Sequence, residues 1–257
     1  MKKYLLTIAT LFICAFSATL FAQNSSFLIG VHGGANFNKL KFTGDYLYQD
    51  SEESRKFGYQ GGVDVGFKYN SFSLLTGLGY AKRGGIVTIE RNANNPWIVD
   101  GIEDTGTFTE KNDYSVLTVP ILLRYETKGN IAFTVSVGPM LNFGIGEITS
   151  TEEYDFATLS DIGPNEYTSQ FGSSGDDLVK KMHTSFVFSP GVMMNIGDSG
   201  KLRANITFMS GGSMENENYA VRVDNQVFSL SGSIKSSAIA FEIGYEHRMN
   251  FSLGTKY

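Results

Sequence analysis

The chain contains three histidines, His32, His183 and His247, the side chains best suited to acid–base or metal chemistry near neutral pH. A catalytic triad or a three-histidine zinc site requires its members to converge on one point. The strand pattern derived below places His32 on an inner face, His247 on an outer face and His183 at the end of a strand. We therefore predict no catalytic residue and no metal site. His32 is expected to meet Glu242, either as a structural pair or, alternatively, as a general base.

The segment 145–182 is the other candidate for chemistry, because it is rich in carboxylates that could bind Ca²⁺. Its spacing does not match a known calcium loop, so a solvated acidic surface is the expected reading and no cofactor is predicted. A short helix is expected over 176–182. The acidic side chains of the segment are Glu147, Glu152, Glu153, Asp155, Asp161, Glu166, Asp176 and Asp177.

The first 22 residues read as a secretory signal peptide rather than as part of the fold. Lys2 and Lys3 precede a short apolar run, and small residues lead to a predicted cleavage after Ala22. The alternative, a transmembrane anchor, needs about 20 apolar residues. The only cysteine, Cys14, lies in this run, and the residue before it is too large for lipidation. Residues 23–257 then form one domain without disulfides or thiolate metal sites.

The residues that follow show the clearest pattern in the chain, a long β-hairpin. Every second residue of 57–69 is apolar or glycine, which indicates a strand with one apolar and one polar face. Asn70 and Ser71 form a tight turn, and a second alternating run occupies 72–83. Strands of this length, with Tyr and Phe at their ends, are typical of membrane barrels with aromatic girdles.

The same unit recurs along the chain and predicts eight strands. Their connections alternate between long and short, as in outer-membrane barrels with long extracellular loops, short periplasmic turns and both termini in the periplasm. We predict an all-β fold, an eight-stranded antiparallel up-and-down transmembrane β-barrel; a soluble lipocalin-like barrel is the alternative. Predicted loops cover 39–56, 84–112, 145–182 and 213–233, the last with extra strand at 219–223 and 227–230. The predicted strands are 27–38, 57–69, 72–83, 113–126, 131–144, 183–196, 201–212 and 234–251.

The polar face of these strands predicts a network of charges inside the barrel. An eight-stranded barrel is just wide enough for side chains to fill, and buried charges must be paired. The expected result is a plug of salt bridges, although glycines such as Gly62 and Gly77 leave room for either long side chains or a narrow water path. The predicted interior residues are His32, Asp64, Lys68, Arg83, Arg124, Arg203, Glu242, Glu246 and Arg248.

Four motifs, in this order and spacing, resemble the PorT-like outer-membrane β-barrel family of Bacteroidota. They are GVHGGANF at 30–37, YAKRGG at 80–85, LTVPILLRY at 117–125 and VGP at 137–139. The resemblance covers about 27–249 and implies an integral outer-membrane barrel. One branch of that family takes part in protein secretion and gliding, but no residue here marks that branch.

Charge and patterning together limit the function classes. The formal charge of −5 becomes −7 without Lys2 and Lys3, which argues against nucleic acid as a partner. The sequence predicts a non-enzymatic barrel of the bacterial outer membrane with a structural or surface-interaction role. A narrow passive channel, a component of a secretion or gliding machinery and a lipid-modifying enzyme are the alternatives.

Several partners are expected of such a barrel. They are outer-membrane lipid, the barrel-assembly machinery during biogenesis, a protein that contacts the loops, and lipopolysaccharide. Basic residues at the outer ends of the strands would face lipopolysaccharide phosphates. These residues are Lys39, Lys41, Lys82 and Arg91.

Overall fold

The computed structural model describes residues 25–43, 51–91, 97–99, 102–156, 163–172, 179–213, 219–223, 226–230 and 233–250. The predicted signal peptide, residues 1–22, lies outside these ranges. Among the described residues there is no helix long and apolar enough to cross a membrane. The strands are β1 (Ser25–Thr43), β2 (Ser51–Ser54), β3 (Lys56–Tyr69), β4 (Phe72–Arg91), β5 (Trp97–Val99), β6 (Ile102–Asp104), β7 (Gly106–Glu126), β8 (Ile131–Phe156), β9 (Asn165–Gly172), β10 (Val179–Lys180), β11 (Met182–Ile196), β12 (Gly200–Ser213), β13 (Tyr219–Val223), β14 (Gln226–Leu230) and β15 (Ser233–Asn250).

Eight of these strands close into a ring in which each pairs antiparallel with its neighbours. The order around the ring is β1, β3, β4, β7, β8, β11, β12 and β15, which is also their order along the chain. The first and last strands close it, with a register that runs from Ser26 opposite Asn250 to Thr43 opposite Ser233. Closure leaves none of these eight strands with a free edge, as a membrane-spanning sheet requires. The predicted eight-stranded antiparallel barrel is confirmed.

The two faces of the ring differ because successive side chains of a strand point to opposite sides. Large apolar side chains cover the outside, and Ile243 (70%), Phe133 (66%) and Phe57 (64%) are among the most exposed. In a membrane this exposure is burial against lipid tails. Aromatic rings also pair on the outer face, with Phe72 and Tyr125 at a centroid distance of 5.3 Å near the short turns. These rings match the aromatic girdle expected at a membrane interface.

Three short connections lie at one end of the ring. They are 70–71, 127–130 and 197–199. Asn70 has a φ of 53° and Gly197 a φ of 65°, so the turns at 70–71 and 197–199 each use a residue type that tolerates the left-handed region. The other end carries the longer connections, as the sequence predicts. The alternation of long and short connections identifies the end with the short turns as periplasmic and the opposite end as extracellular.

The predicted loops over 39–56, 84–112 and 145–182 are wrong in large part, because the barrel strands continue beyond the membrane. Strand β4 runs to Arg91 and pairs there with Gly106 at the start of β7. Strand β8 runs to Phe156 and carries β9 on its far edge. Strands that leave the lipid layer no longer need an apolar outer face, so their charged residues resemble a loop in sequence. We call the part of β4, β7, β8 and β9 beyond the membrane the sheet extension, residues 86–91, 106–113, 147–156 and 165–172.

The smaller predictions have mixed outcomes. The extra strands predicted at 219–223 and 227–230 are confirmed, since β13 and β14 form an antiparallel hairpin. The helix predicted over 176–182 is wrong for its described part, where Val179–Lys180 is strand and β11 begins at Met182. Residues 176–178 lie outside the described ranges. Residue 251, the predicted end of the last strand, does so too.

Candidate functional site: the barrel interior

All nine charged residues assigned to the interior by parity point into the ring. Together with Gln60, Glu126 and Lys201, these nine residues fall into three groups, which we name by position. The periplasmic cluster contains Lys68, Arg124, Glu126, Lys201, Glu246 and Arg248. The central cluster contains His32, Gln60, Asp64, Arg203 and Glu242. Arg83 stands apart from both, nearer the extracellular end.

Glu126, the last residue of β7, is the hub of the periplasmic cluster. Its carboxylate accepts hydrogen bonds from Lys68 Nζ at 2.7 Å, Lys201 Nζ at 2.6 Å and Arg248 Nη2 at 2.6 Å. The side chain of Glu126 is only 3% exposed. Three cations around one buried carboxylate tie β3, β7, β12 and β15 together across the lumen.

A second carboxylate completes this cluster. Glu246 on β15 contacts Arg124 Nη1 at 2.7 Å and Arg248 Nε at 2.9 Å. Arg248 therefore bridges Glu246 and Glu126. Removing one partner from such a buried pair typically costs about 3–5 kcal/mol, because it leaves the other charge uncompensated. The cluster therefore connects strands across the lumen near its periplasmic end.

Sequence reasoning missed two members of this cluster, Glu126 and Lys201. Both were visible in the pattern that located the others. Glu126 follows Arg124 by two residues on the same strand, and Lys201 precedes Arg203 by two. Each stands beside a turn, where parity alone does not show whether a side chain enters the lumen.

His32 organises the central cluster, because both of its ring nitrogens face carboxylates. Nδ1 lies 3.0 Å from Asp64 Oδ2, and Nε2 lies 3.6 Å from Glu242 Oε1. The expected meeting of His32 with Glu242 is thus present in the geometry. Arg203 Nη2 also donates to Asp64.

Both carboxylate oxygens of Glu242 also accept hydrogen bonds from neutral donors. Gln60 Nε2 donates to Oε1 at 2.9 Å, and Thr207 Oγ1 donates to Oε2 at 2.5 Å. The central cluster thus links β1, β3, β12 and β15 by charge and by hydrogen bond. Gly77 makes room for it, since a Cβ there would lie 2.2 Å from the Val63 carbonyl oxygen and 3.1 Å from Asp64 Oδ1.

The three histidines do not share a site. His183 is 4% exposed on the inner face of β11, whereas His247 is on the outer face of β15 near the periplasmic rim. Within the described residues, no group of three His, Cys, Asp or Glu side chains is arranged to hold a metal ion.

The predicted acidic loop is largely part of the sheet extension. Glu147, Glu152, Glu153, Asp155 and Glu166 lie on β8 and β9, while positions 161, 176 and 177 fall outside the described residues. Glu153 pairs with Lys111 Nζ at 2.5 Å, and Glu152 accepts a hydrogen bond from Tyr154 Oη at 2.5 Å. Burial, and secondly this hydrogen bond to a carboxylate, raises the pKa of the Tyr154 hydroxyl. Glu153 thus has a cationic partner and Glu152 a hydroxyl partner within the sheet.

A comparison with protein families identifies the fold family. Residues 21–207 match the family described as outer membrane protein beta-barrel domain. The chain belongs to this family. The barrel is therefore an integral protein of the bacterial outer membrane, as its lipid-facing surface and paired interior require.

Similarities to individual proteins are distant. No curated protein matches the chain. Neisserial surface protein A is 11% identical over 88% of this chain and all of its own, with a TM-score of 0.36. The attachment invasion locus protein Ail of Yersinia pestis is 11% identical over 87% of this chain and 99% of its own, with a TM-score of 0.32. The outer membrane protease OmpT of Escherichia coli is 11% identical over 87% of this chain and 97% of its own, with a TM-score of 0.38.

Proposed function

We propose that this barrel is a non-enzymatic outer-membrane protein with a plugged lumen and a structural or surface-interaction role. The observation that best supports this proposal is the set of contacts to Glu126. Its carboxylate is held by Lys68, Lys201 and Arg248 at 2.6–2.7 Å. Ion pairs of this kind hold long side chains across the lumen. The part that meets the surroundings is then the sheet extension, which continues the strands above the lipid layer.

The arrangement around His32 supports the non-enzymatic reading. A nucleophilic triad places a hydroxyl or thiol on one imidazole nitrogen and a carboxylate on the other. Here Asp64 faces one nitrogen and Glu242 faces the other. A histidine held between two carboxylates is well placed for a structural role, and among the described residues no hydroxyl contacts its ring nitrogens as acyl transfer would need.

We further propose that the chain is a PorT-like member of its family, on the order of the four motifs. Two of them occupy strands that shape the lumen, since LTVPILLRY supplies Arg124 and GVHGGANF supplies His32. A role as the barrel of a secretion or gliding machinery remains the alternative function. That role would require a protein partner at the periplasmic end.

Lipopolysaccharide is the proposed lipid partner of the extracellular rim. Of the basic residues at this rim, Lys41 is exposed, whereas Lys39 Nζ lies 3.2 Å from Glu53 Oε2. A lipid phosphate would compete with Glu53 for Lys39 but would meet Lys41 directly. The barrel-assembly machinery is proposed as the partner during insertion, since closing the β1–β15 seam joins the two ends of the domain.

Site-specific photo-crosslinking in living cells tests the surface role. One variant carries a photoreactive residue at Glu153, on the exposed sheet extension, and the matched variant carries it at Asp198, in the periplasmic turn. A surface-interaction role predicts a discrete adduct from position 153 and none from 198. Adducts from 198 alone would instead favour a periplasmic machine and contradict the proposal.

A further inference from the structure

Arg83 differs from the cations of the two lumen clusters, because no carboxylate of the described residues lies beside it. It lies on the inner face of β4 and is 3% exposed. Its guanidinium donates from Nη2 to the sulfur of Met209, at 3.4 Å. Nε makes no hydrogen bond to any described residue. A thioether is a weak acceptor and does not neutralise a guanidinium.

The guanidinium faces a cavity in the middle of the barrel. The cavity has a volume of about 80 Å³, and Arg83 lines it together with Met209 and Thr118. A cavity of this size has room for a small ion or for several water molecules. It is polar at one end and apolar at the side formed by Leu122 and Val187.

The carboxylates that line the same cavity are already committed to other partners. Asp64 is held by His32 at 3.0 Å and by Arg203. Glu242 is held by Gln60 at 2.9 Å and by Thr207 at 2.5 Å. Among the described residues, Arg83 is therefore the arginine of the cavity wall that has no carboxylate partner, whereas Arg203 has Asp64. An isolated buried cation is very costly, and arginine does not lose its proton to avoid that cost.

We propose that the cavity binds a small monovalent inorganic anion, of the size of chloride, against the guanidinium of Arg83. One negative charge balances the single unpaired cation. A halide fits this space, whereas a dianion would bring a second negative charge towards Asp64 and Glu242. The bound anion would stabilise the part of the lumen around Arg83, as the salt bridges stabilise the part nearer the periplasmic end.

Thermal unfolding of the purified barrel in detergent tests this inference. The wild type is compared in sodium chloride and in sodium gluconate at equal concentration, because gluconate is too large for the cavity. A bound anion stabilises the folded state by mass action, so the midpoint should be about 2–4 °C higher in chloride. Arg83→Met should abolish the difference. Lys82→Met, which removes a cation from the next residue but on the outer face, should retain it.

Two results would overturn the proposal. One is a chloride dependence in Arg83→Met equal to that of the wild type; the other is no dependence in the wild type. If Arg83→Met does not fold, crystals of the wild type soaked in sodium bromide decide the question. An anomalous peak beside the Arg83 guanidinium is expected, and a map without it would mean that the cavity holds water alone.

Discussion

Arg124 and Glu246 form an ion pair of 2.7 Å in which each side chain is only 3% exposed. They come from opposite parts of the chain, β7 and β15, and meet across the lumen. In a barrel this narrow, such a pair connects walls that share no backbone hydrogen bonds. The interior charges therefore add a second set of connections to the closed ladder of the wall.

The pair makes a prediction about stability. Glu246→Gln removes the carboxylate and leaves Arg124 buried without it, so the free energy of unfolding should fall by about 3–5 kcal/mol. Urea titrations of the barrel in lipid vesicles, followed by heat-modifiable gel migration, measure the change. The matched control is Glu153→Gln, which breaks an exposed pair with Lys111 and should cost less than about 1 kcal/mol. Equal effects of the two variants would mean that the interior pair does not brace the barrel.

The outer face gives an independent prediction. Ile243 is 70% exposed in the middle of the apolar stretch of β15, so it faces lipid tails. Ile243→Arg should destabilise the barrel by about 2–4 kcal/mol, the usual cost of a cation near the bilayer midplane. Ile243→Leu keeps the apolar surface and should have little effect in the same titration. If the arginine variant were as stable as the wild type, the assignment of this face to lipid would be wrong.

The extracellular mouth of the barrel has its own apolar core. Leu40, Ala81, Tyr114, Val116, Ile148 and Ile234 form a buried cluster there, and Phe171 of β9 packs against it. The ring of Phe171 lies 6.1 Å from that of Tyr114. Strand β9 thus covers the mouth with one aromatic side chain.

Truncating Phe171 should weaken the contact between β9 and the apolar cluster at the mouth of the barrel. Phe171→Ala is expected to destabilise by roughly 1–3 kcal/mol, below the usual range for a fully buried phenylalanine because Phe171 is only partly buried. Hydrogen exchange should rise in β9 while the membrane strands stay protected. Phe171→Leu keeps most of the apolar contact and serves as control. Unchanged exchange in Phe171→Ala would mean that β9 does not depend on this contact.

The sequence was sufficient to predict the barrel because period-two alternation shows directly which side chains face lipid. The same parity placed His32, Arg124 and Glu246 inside. It could not show that Glu126 binds three cations, since that depends on how four strands are staggered around the ring. It also could not separate strand from loop at Glu152 and Glu153, where no lipid imposes an apolar face.

The plugged lumen is tested most directly by the conductance of the purified protein in planar bilayers. Folding is first established by heat-modifiable migration of the same preparation, so that a silent bilayer reports on the lumen and not on unfolded protein. Because the clusters around Glu126 and His32 span the lumen, we predict no reproducible conductance steps at either polarity. Discrete steps that recur in independent insertions of folded protein would contradict the plug and make the barrel a narrow channel.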